Sequence, residues 1–241
     1  MTPSPDNERH ASVDQGSTVS RLVGACKTFE SDECSVKAVD EATLTVSQGE
    51  MVGVLGPSGS GKTTLLNLIG MLDTPTNGDV FFEERPVRDM SAAERRRLRL
   101  TKVGFIFQQL RLIPTLSVVE NVELPMALLS RPGSYQRAKA RELIESVGLA
   151  GKEGRRPGKL SVGEQQRAAV ARALANDPVM VLADEPTSQL DSVSGRKVMD
   201  LLDDLRRRMK AAVVITTHDS AISSLLDRVY QMRDGILTAV K

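Results

Sequence analysis

Long apolar runs are missing from this chain: no window approaches the roughly eighteen uninterrupted apolar residues of a membrane-crossing helix, so it is not expected to span a bilayer by itself. Cysteine is scarce as well. Cys26 and Cys34 lack the CxxC spacing of a redox or zinc pair and read as reduced cytosolic thiols. Neither sign of charge is in excess, with 32 Lys and Arg against 31 Asp and Glu, so no global field favours nucleic acid or an anionic membrane. The opening stretch, 1–19, has neither a basic start nor an apolar run, which excludes a secretion leader and reads as a flexible polar tail. No internal repeat is visible.

What is present suits one sizeable globular domain: 241 residues, 40% hydrophobic and 26% charged. Ordered sequence is expected from near Arg21. Val39–Val46 and Met51–Leu55 read as strands parted by the turn Ser47-Gln48-Gly49, and Val80–Phe82 as a short strand. Ser91 and Glu94 match a capping box that opens a helix carrying Arg95, Arg96, Arg97 and Arg99, a run read as the helix's solvated face. From about Thr101 to Asn176 the pattern is mostly helical, with Pro114, Pro125 and Pro132 near its start and a helix from about Gln136 that Gly148 would stop. This predicts an inserted helical subdomain. Strand character returns at Val179–Ala183 and Ala212–Thr216, around a helix whose Val198, Leu201, Leu202, Leu205 and Met209 share one face. Alternating strands and helices predict an α/β fold with a parallel sheet covered on both sides. Asp234-Gly235 reads as a hairpin turn.

Gly56-Pro57-Ser58-Gly59-Ser60-Gly61-Lys62-Thr63, followed by Thr64, fits the phosphate-loop pattern G-x-x-x-x-G-K-[ST], placed between a strand and a helix on which Leu65, Leu66, Leu68, Ile69 and Leu72 recur at helical spacing. Glycines let the backbone curl until its N–H groups face phosphate oxygens, and the helix presents its positive end to them. Lys62 would reach the β- and γ-phosphates and the Thr63 hydroxyl would ligate Mg²⁺. The buried-strand run Val179–Ala183 ends in adjacent carboxylates. There Asp184 can hold the Mg²⁺ shell and Glu185 can polarise an attacking water, and strand alternation sends the two side chains in different directions.

These loops do not choose among phosphate-loop ATPases, but further motifs do. Leu160-Ser161-Val162-Gly163-Glu164-Gln165-Gln166-Arg167 resembles the signature of the ATP-binding-cassette (ABC) family. Glu185–Asp191 resembles its catalytic glutamate and D-loop, Thr217-His218-Asp219 its switch histidine, and Gln108 its Q-loop glutamine. The resemblance implies a RecA-like phosphate-loop core with an N-terminal antiparallel β region and an inserted helical subdomain, in a single ABC ATPase domain over 20–241. It implies that Glu185 orients water, His218 contacts the γ-phosphate, Gln108 senses Mg²⁺ and water, and Asp191 links two sites. Ser161 and Gly163 would face the γ-phosphate held by a second copy, so two ATP molecules are sandwiched in a head-to-tail dimer. Phe29 sits where the family places an aromatic that stacks on adenine, although a lone aromatic also suits a core. One departure is Val162, where the signature usually has glycine.

Finer runs, Leu66–Asp73, Pro75–Gly78, Leu112–Leu116 and Glu120–Val122, resemble the macrolide-export and lipoprotein-release group. That implies a separately encoded integral membrane permease, attachment through it to the cytoplasmic face of the membrane, no nucleic acid partner, and export or extraction of an unspecified substrate. Leu110, Leu112, Ile113 and Leu116 are expected to offer apolar contacts to the permease or to pack inside the subdomain. The alternatives are an ATP-driven regulatory module of a cell-envelope complex and a soluble DNA-repair or translation ATPase. The last usually needs a long coiled coil or tandem cassettes, and neither is present.

Overall fold

The structure, a computed structural model, describes residues 17–31 and 34–241. Most of the expected polar tail therefore lies outside the described residues. Its last two positions, Thr18 and Val19, already belong to the first strand.

Three stretches of Val- and Ile-rich sequence form the middle of the sheet. Strand β3 (Met51–Leu55) lies between β8 (Ala212–Thr217) and β9 (Arg228–Arg233), parallel to both, and β8 is followed outward by β7 (Met180–Asp184) and β6 (Val103–Ile106), also parallel. Alternation along these strands divides the interior in two. Val52, Val54, Met180, Leu182, Ala212 and Val214 pack on one side, against helix α1 (Lys62–Ile69) and the N-terminal strands. Met51, Leu55, Val181, Ala183, Val213 and Ile215 pack on the other, against the helices of the inserted region. Both faces of β3, β7 and β8 are covered, which is why the sequence reads there as largely apolar runs rather than as alternation.

The N-terminal part is antiparallel, as expected. Strand β1 (Thr18–Glu30) pairs with β2 (Ser35–Ser47) and with β4 (Asn77–Phe82), which turns back into the short β5 (Arg85–Pro86). A hairpin from β9 to β10 (Ile236–Ala239) joins this part to the parallel sheet through Ile236 and Asp40. Its turn residues Asp234 and Gly235 have φ of 49° and 83°, the left-handed pair that a two-residue hairpin demands.

The inserted region differs from expectation at its start. Helix α2 (Ala92–Lys102), opened by the Ser91–Glu94 capping box, ends where the helical stretch was to begin, and Val103–Ile106 is a strand of the core sheet. Four residues buried at the sheet's end carry too little periodicity to be told from helix. The helices proper are α3 (Val118–Ala127), α4 (Gly133–Ser146) and α5 (Val162–Ala173). Gly148, with φ of 69°, stops α4 as expected. Helix α6 (Ser192–Met209) then leads into β8, burying Val198, Leu202 and Leu205.

Candidate active site

The loop after β3 is shaped by contacts that tolerate only glycine. A Cβ at Gly56 would sit 2.2 Å from the Met232 carbonyl oxygen. At Gly61, where φ is 103°, it would sit 2.0 Å from the carbonyl oxygen of Ala38, an irregular position of β2 where the β1–β2 register shifts. Helix α1 starts directly after Gly61 with no side-chain cap and no acidic residue in its first turn. Among the described residues its first N–H groups receive no side-chain cap, and the helix dipole adds positive potential where they point. This cradle fits a phosphate group.

Lys62, only 6% exposed, is folded against the loop. Its Nζ donates to the carbonyls of Gly56 and Pro57, each at 2.8 Å, and lies 3.4 Å from Glu185 Oε1. Strand β7 delivers the two carboxylates in different directions. Asp184 accepts from Thr63 Oγ1 at 2.9 Å and from Thr216 Oγ1 at 2.6 Å. Glu185 turns away at a left-handed φ of 48°, and its Oε2 accepts from His218 Nδ1 at 2.8 Å. A non-glycine residue held in that region is strained, and such strain clusters at functional sites. Gln108, Ala38, Gly61, Thr63, Asp184 and Glu185 are among the walls of one cleft of about 230 Å³.

An oxygen-rich pair, the Thr63 hydroxyl and Asp184, with Gln108 on the same cleft, suits a small hard cation that keeps water and phosphate ligands. Among the described residues no cluster of three His, Cys, Asp or Glu side chains is placed to hold a metal without such ligands.

Other sequence candidates lie elsewhere. Ser161 caps α5 in a capping box with Glu164, whose carboxylate also pairs with Lys152, and neither Ser161 nor Gly163 lines the cleft. Val162, the first residue of α5, is 44% exposed. Asp191 caps α6, accepting from Val193 N at 3.0 Å and Ser194 N at 2.9 Å. Phe29 is 47% exposed on the β1–β2 hairpin, so it is not a core residue; it pairs with Val36, two positions along β2 from the cleft wall at Ala38. Sequence reasoning missed Thr216 and Ala38. A hydroxyl closing the otherwise apolar run of β8 was a signal for the first, and nothing in the sequence marks the second.

The Q-loop turn after Gln108 is strained too, with Leu110 and Arg111 at φ of 55° and 48°. Arg172 of α5 holds it by donating to both carbonyls.

A larger cavity, about 840 Å³, is distinct from this site. It runs between α2, β6, the end of α3 and α5, over the stacked rings of Phe105 and Phe107, whose centroids are 5.6 Å apart. Leu100, Pro125 and Leu128 extend its apolar floor, and Arg96, Arg97, Arg99 and Arg172 stand around it. The arginine run of α2 is therefore not purely a solvated face, for Arg99 also donates to the Met71 carbonyl at 2.6 Å. Leu110, Leu112, Ile113 and Leu116, the expected apolar contacts for a permease, do not line this groove. Leu110 is buried, and Leu112 packs on the core of the inserted region.

Comparison with known proteins decides the family. The profile described as ABC transporter matches residues 39–188, a span that contains the phosphate loop, signature and acidic pair.

This chain belongs to the ABC transporter family.

As a cassette of that family it is an ATPase, with ATP and Mg²⁺ as its ligands. The macrolide export ATP-binding/permease protein MacB of Rhodopseudomonas palustris is 45% identical over 224 residues, which cover 93% of this chain but 34% of that protein. The chain thus spans about a third of that relative. An uncharacterized ABC transporter ATP-binding protein of Methanocaldococcus jannaschii, MJ1508, is 43% identical over 214 residues, covering 89% of this chain and 95% of the relative. Among solved structures, a dimeric post-hydrolysis state of the cassette MJ0796 bound to ADP and Pi superposes with a TM-score of 0.85 at 38% identity, covering 92% of this chain and 99% of that one. A second dimeric structure of MJ0796 gives the same TM-score, 0.85, at 39% identity.

Proposed function

We propose that the chain works as a pair around two ATP molecules and drives a separately encoded membrane permease, exporting substrate or extracting it from the membrane. The observation that carries the pairing is geometric: the phosphate cradle at Gly56–Thr64 and the signature residues Ser161 and Gly163 occupy separate surfaces of one chain. A second copy is needed to bring both to one γ-phosphate. The dimeric state of the similar cassette MJ0796 supports the reading.

Lys62 is bound to loop carbonyls and to Glu185. Incoming β- and γ-phosphates compete for Lys62, and Glu185 is then released to hold the attacking water in line with the γ-phosphate. His218, on Oε2, fixes the orientation of that carboxylate. Thr63, Asp184 and Gln108 would hold Mg²⁺ and its waters, and the ion would supply neutralisation of phosphate charge there. Asp191, at the start of α6, would join the two sites across the pair. Cleavage removes the charge that bridges the two copies and lets them open.

The permease seat is the groove over Phe105 and Phe107. Its lining contains four arginines and no carboxylate. Burial, and then Arg95 and Arg96, holds the Arg99 guanidinium below its usual range, and burial does the same at Arg172. A short amphipathic helix with apolar residues on one side and a carboxylate toward the rim would satisfy both floor and rim. Among the described residues no helix is long and apolar enough to cross a membrane, so attachment to its cytoplasmic face would come through that partner. The likeness to MacB supports the export assignment.

Sedimentation of Glu185→Gln with and without Mg-ATP tests the pairing. A dimer that appears only with ATP is expected, and a persistent monomer refutes it. Phe105→Glu or Leu128→Glu should release a co-purified integral membrane protein while ATP binding stays intact.

A further inference from the structure

Phe29 stands on a strand end that is tied down unusually firmly. Thr76 N donates to the Cys26 carbonyl at 2.8 Å, and Thr28 N donates to Thr76 Oγ1 at 3.1 Å. Between these ties Lys27, its side chain only 15% exposed, sends its Nζ to Asp73 Oδ1 at 2.8 Å and to the Thr74 carbonyl at 3.1 Å. Asp73 is itself fixed by the Thr74 backbone N–H, 2.7 Å from the same oxygen. Two of the three ammonium donors are thus spent on one loop, the loop that follows the phosphate-binding helix α1. The ammonium so held lies over the Phe29 ring, 5.2 Å from its centroid.

We propose that Lys27 is a positioning residue for purine stacking: clamped by Asp73 and Thr74, it holds the Phe29 ring flat and ready beside the phosphate cradle. The proposal rests on the reading of Phe29 as the base platform. An aromatic that is 47% exposed would otherwise sample several rotamers and lose that freedom when a base stacks on it. A cation on the ring's negative face restrains it beforehand, and the exposed remainder of the ring stays open to the base. Because the clamp reaches the loop after α1, it also ties the platform to the helix whose other end takes the phosphates. Stacking uses the flat face of the base and no edge, so adenine and guanine should profit alike.

The test is titration calorimetry of the full chain with ATP, with GTP and with inorganic tripolyphosphate. Lys27→Met should weaken ATP and GTP by roughly threefold to tenfold, the range of a partly desolvated cation–π contact, and leave tripolyphosphate unchanged. Lys27→Arg should restore most of the loss. Adding Phe29→Ala to Lys27→Met should cost less than Phe29→Ala alone, because the lysine acts only through the ring. If Lys27→Met fails to fold, Asp73→Asn is the substitute and should show the same split between nucleotide and tripolyphosphate. Unchanged ATP affinity in Lys27→Met, or an equal loss for tripolyphosphate, overturns the proposal. If Phe29→Ala binds ATP like the unaltered chain, the platform reading itself fails; if only Phe29→Ala weakens ATP, the platform stands and the clamp does not.

Discussion

Removing the ammonium of Lys62 should destabilise the protein even without nucleotide. The lysine is 6% exposed, donates to two loop carbonyls at 2.8 Å and faces Glu185 at 3.4 Å. Lys62→Met keeps most of the side chain's volume but leaves the Gly56 and Pro57 carbonyls without this donor and Glu185 Oε1 without its cation. Truncating one member of a buried charge pair typically costs about 3 to 5 kcal/mol. Here His218 still serves Oε2, so about 3 kcal/mol is the working figure. Spread over a domain of this length, that lowers Tm by roughly 6 to 12 °C. The same substitution in a Glu185→Gln background leaves no uncompensated carboxylate, so its cost should fall by about 1 to 2 kcal/mol, the coupling expected of residues in contact. Nucleotide-free thermal and urea unfolding of the four proteins measures this cycle. Equal costs in the two backgrounds, or a Lys62→Met protein as stable as its parent, would refute this electrostatic account of Lys62.

Gly104→Ala places a Cβ 2.3 Å from the Ala173 carbonyl of α5, and since a backbone atom must yield, a loss of about 1 to 3 kcal/mol in urea unfolding is expected. Arg172→Met removes the donors to Leu110 and Arg111; hydrogen exchange over 108–112 should accelerate while ATP affinity holds. Glu164 is held below the ordinary carboxylate range, chiefly by its hydrogen bond with Lys152 and then by the Ser161 N–H. Its folded value lies below its unfolded one, so its contribution is complete above the ordinary range and lost as pH falls through the folded value. Glu164→Gln should flatten the acid limb of Tm against pH, and an unchanged limb would count against the assignment.

Much of the site was legible because its chemistry is local in sequence. Gly56–Thr63 must be contiguous for one turn to aim backbone donors at phosphate, and Asp184 and Glu185 must be adjacent to diverge from one strand end. Strands β3, β7 and β8 announced themselves as short apolar runs since both their faces are buried. Strand β6 did not, because four residues between a helix and a loop carry no period, and it was absorbed into the helical insertion.

The sequence by itself thus determined the reaction class, the order of motifs and the double-sided sheet, all of which depend on residues near one another along the chain. Tertiary structure alone decided the rest. The chain's path brought Thr216 to Asp184 and the Ala38 carbonyl to Gly61. It left Phe29 in the open over Lys27 rather than in the core. It put Ser161 and Gly163 outside the cleft and opened a groove over Phe105 and Phe107 that Leu110, Leu112, Ile113 and Leu116 do not line. Each is a relation between segments far apart in sequence, or a choice of which side of an apolar segment faces the core. Hydrophobicity alone does not encode that choice, since the same side chain gains as much from a core neighbour as from a partner not yet bound.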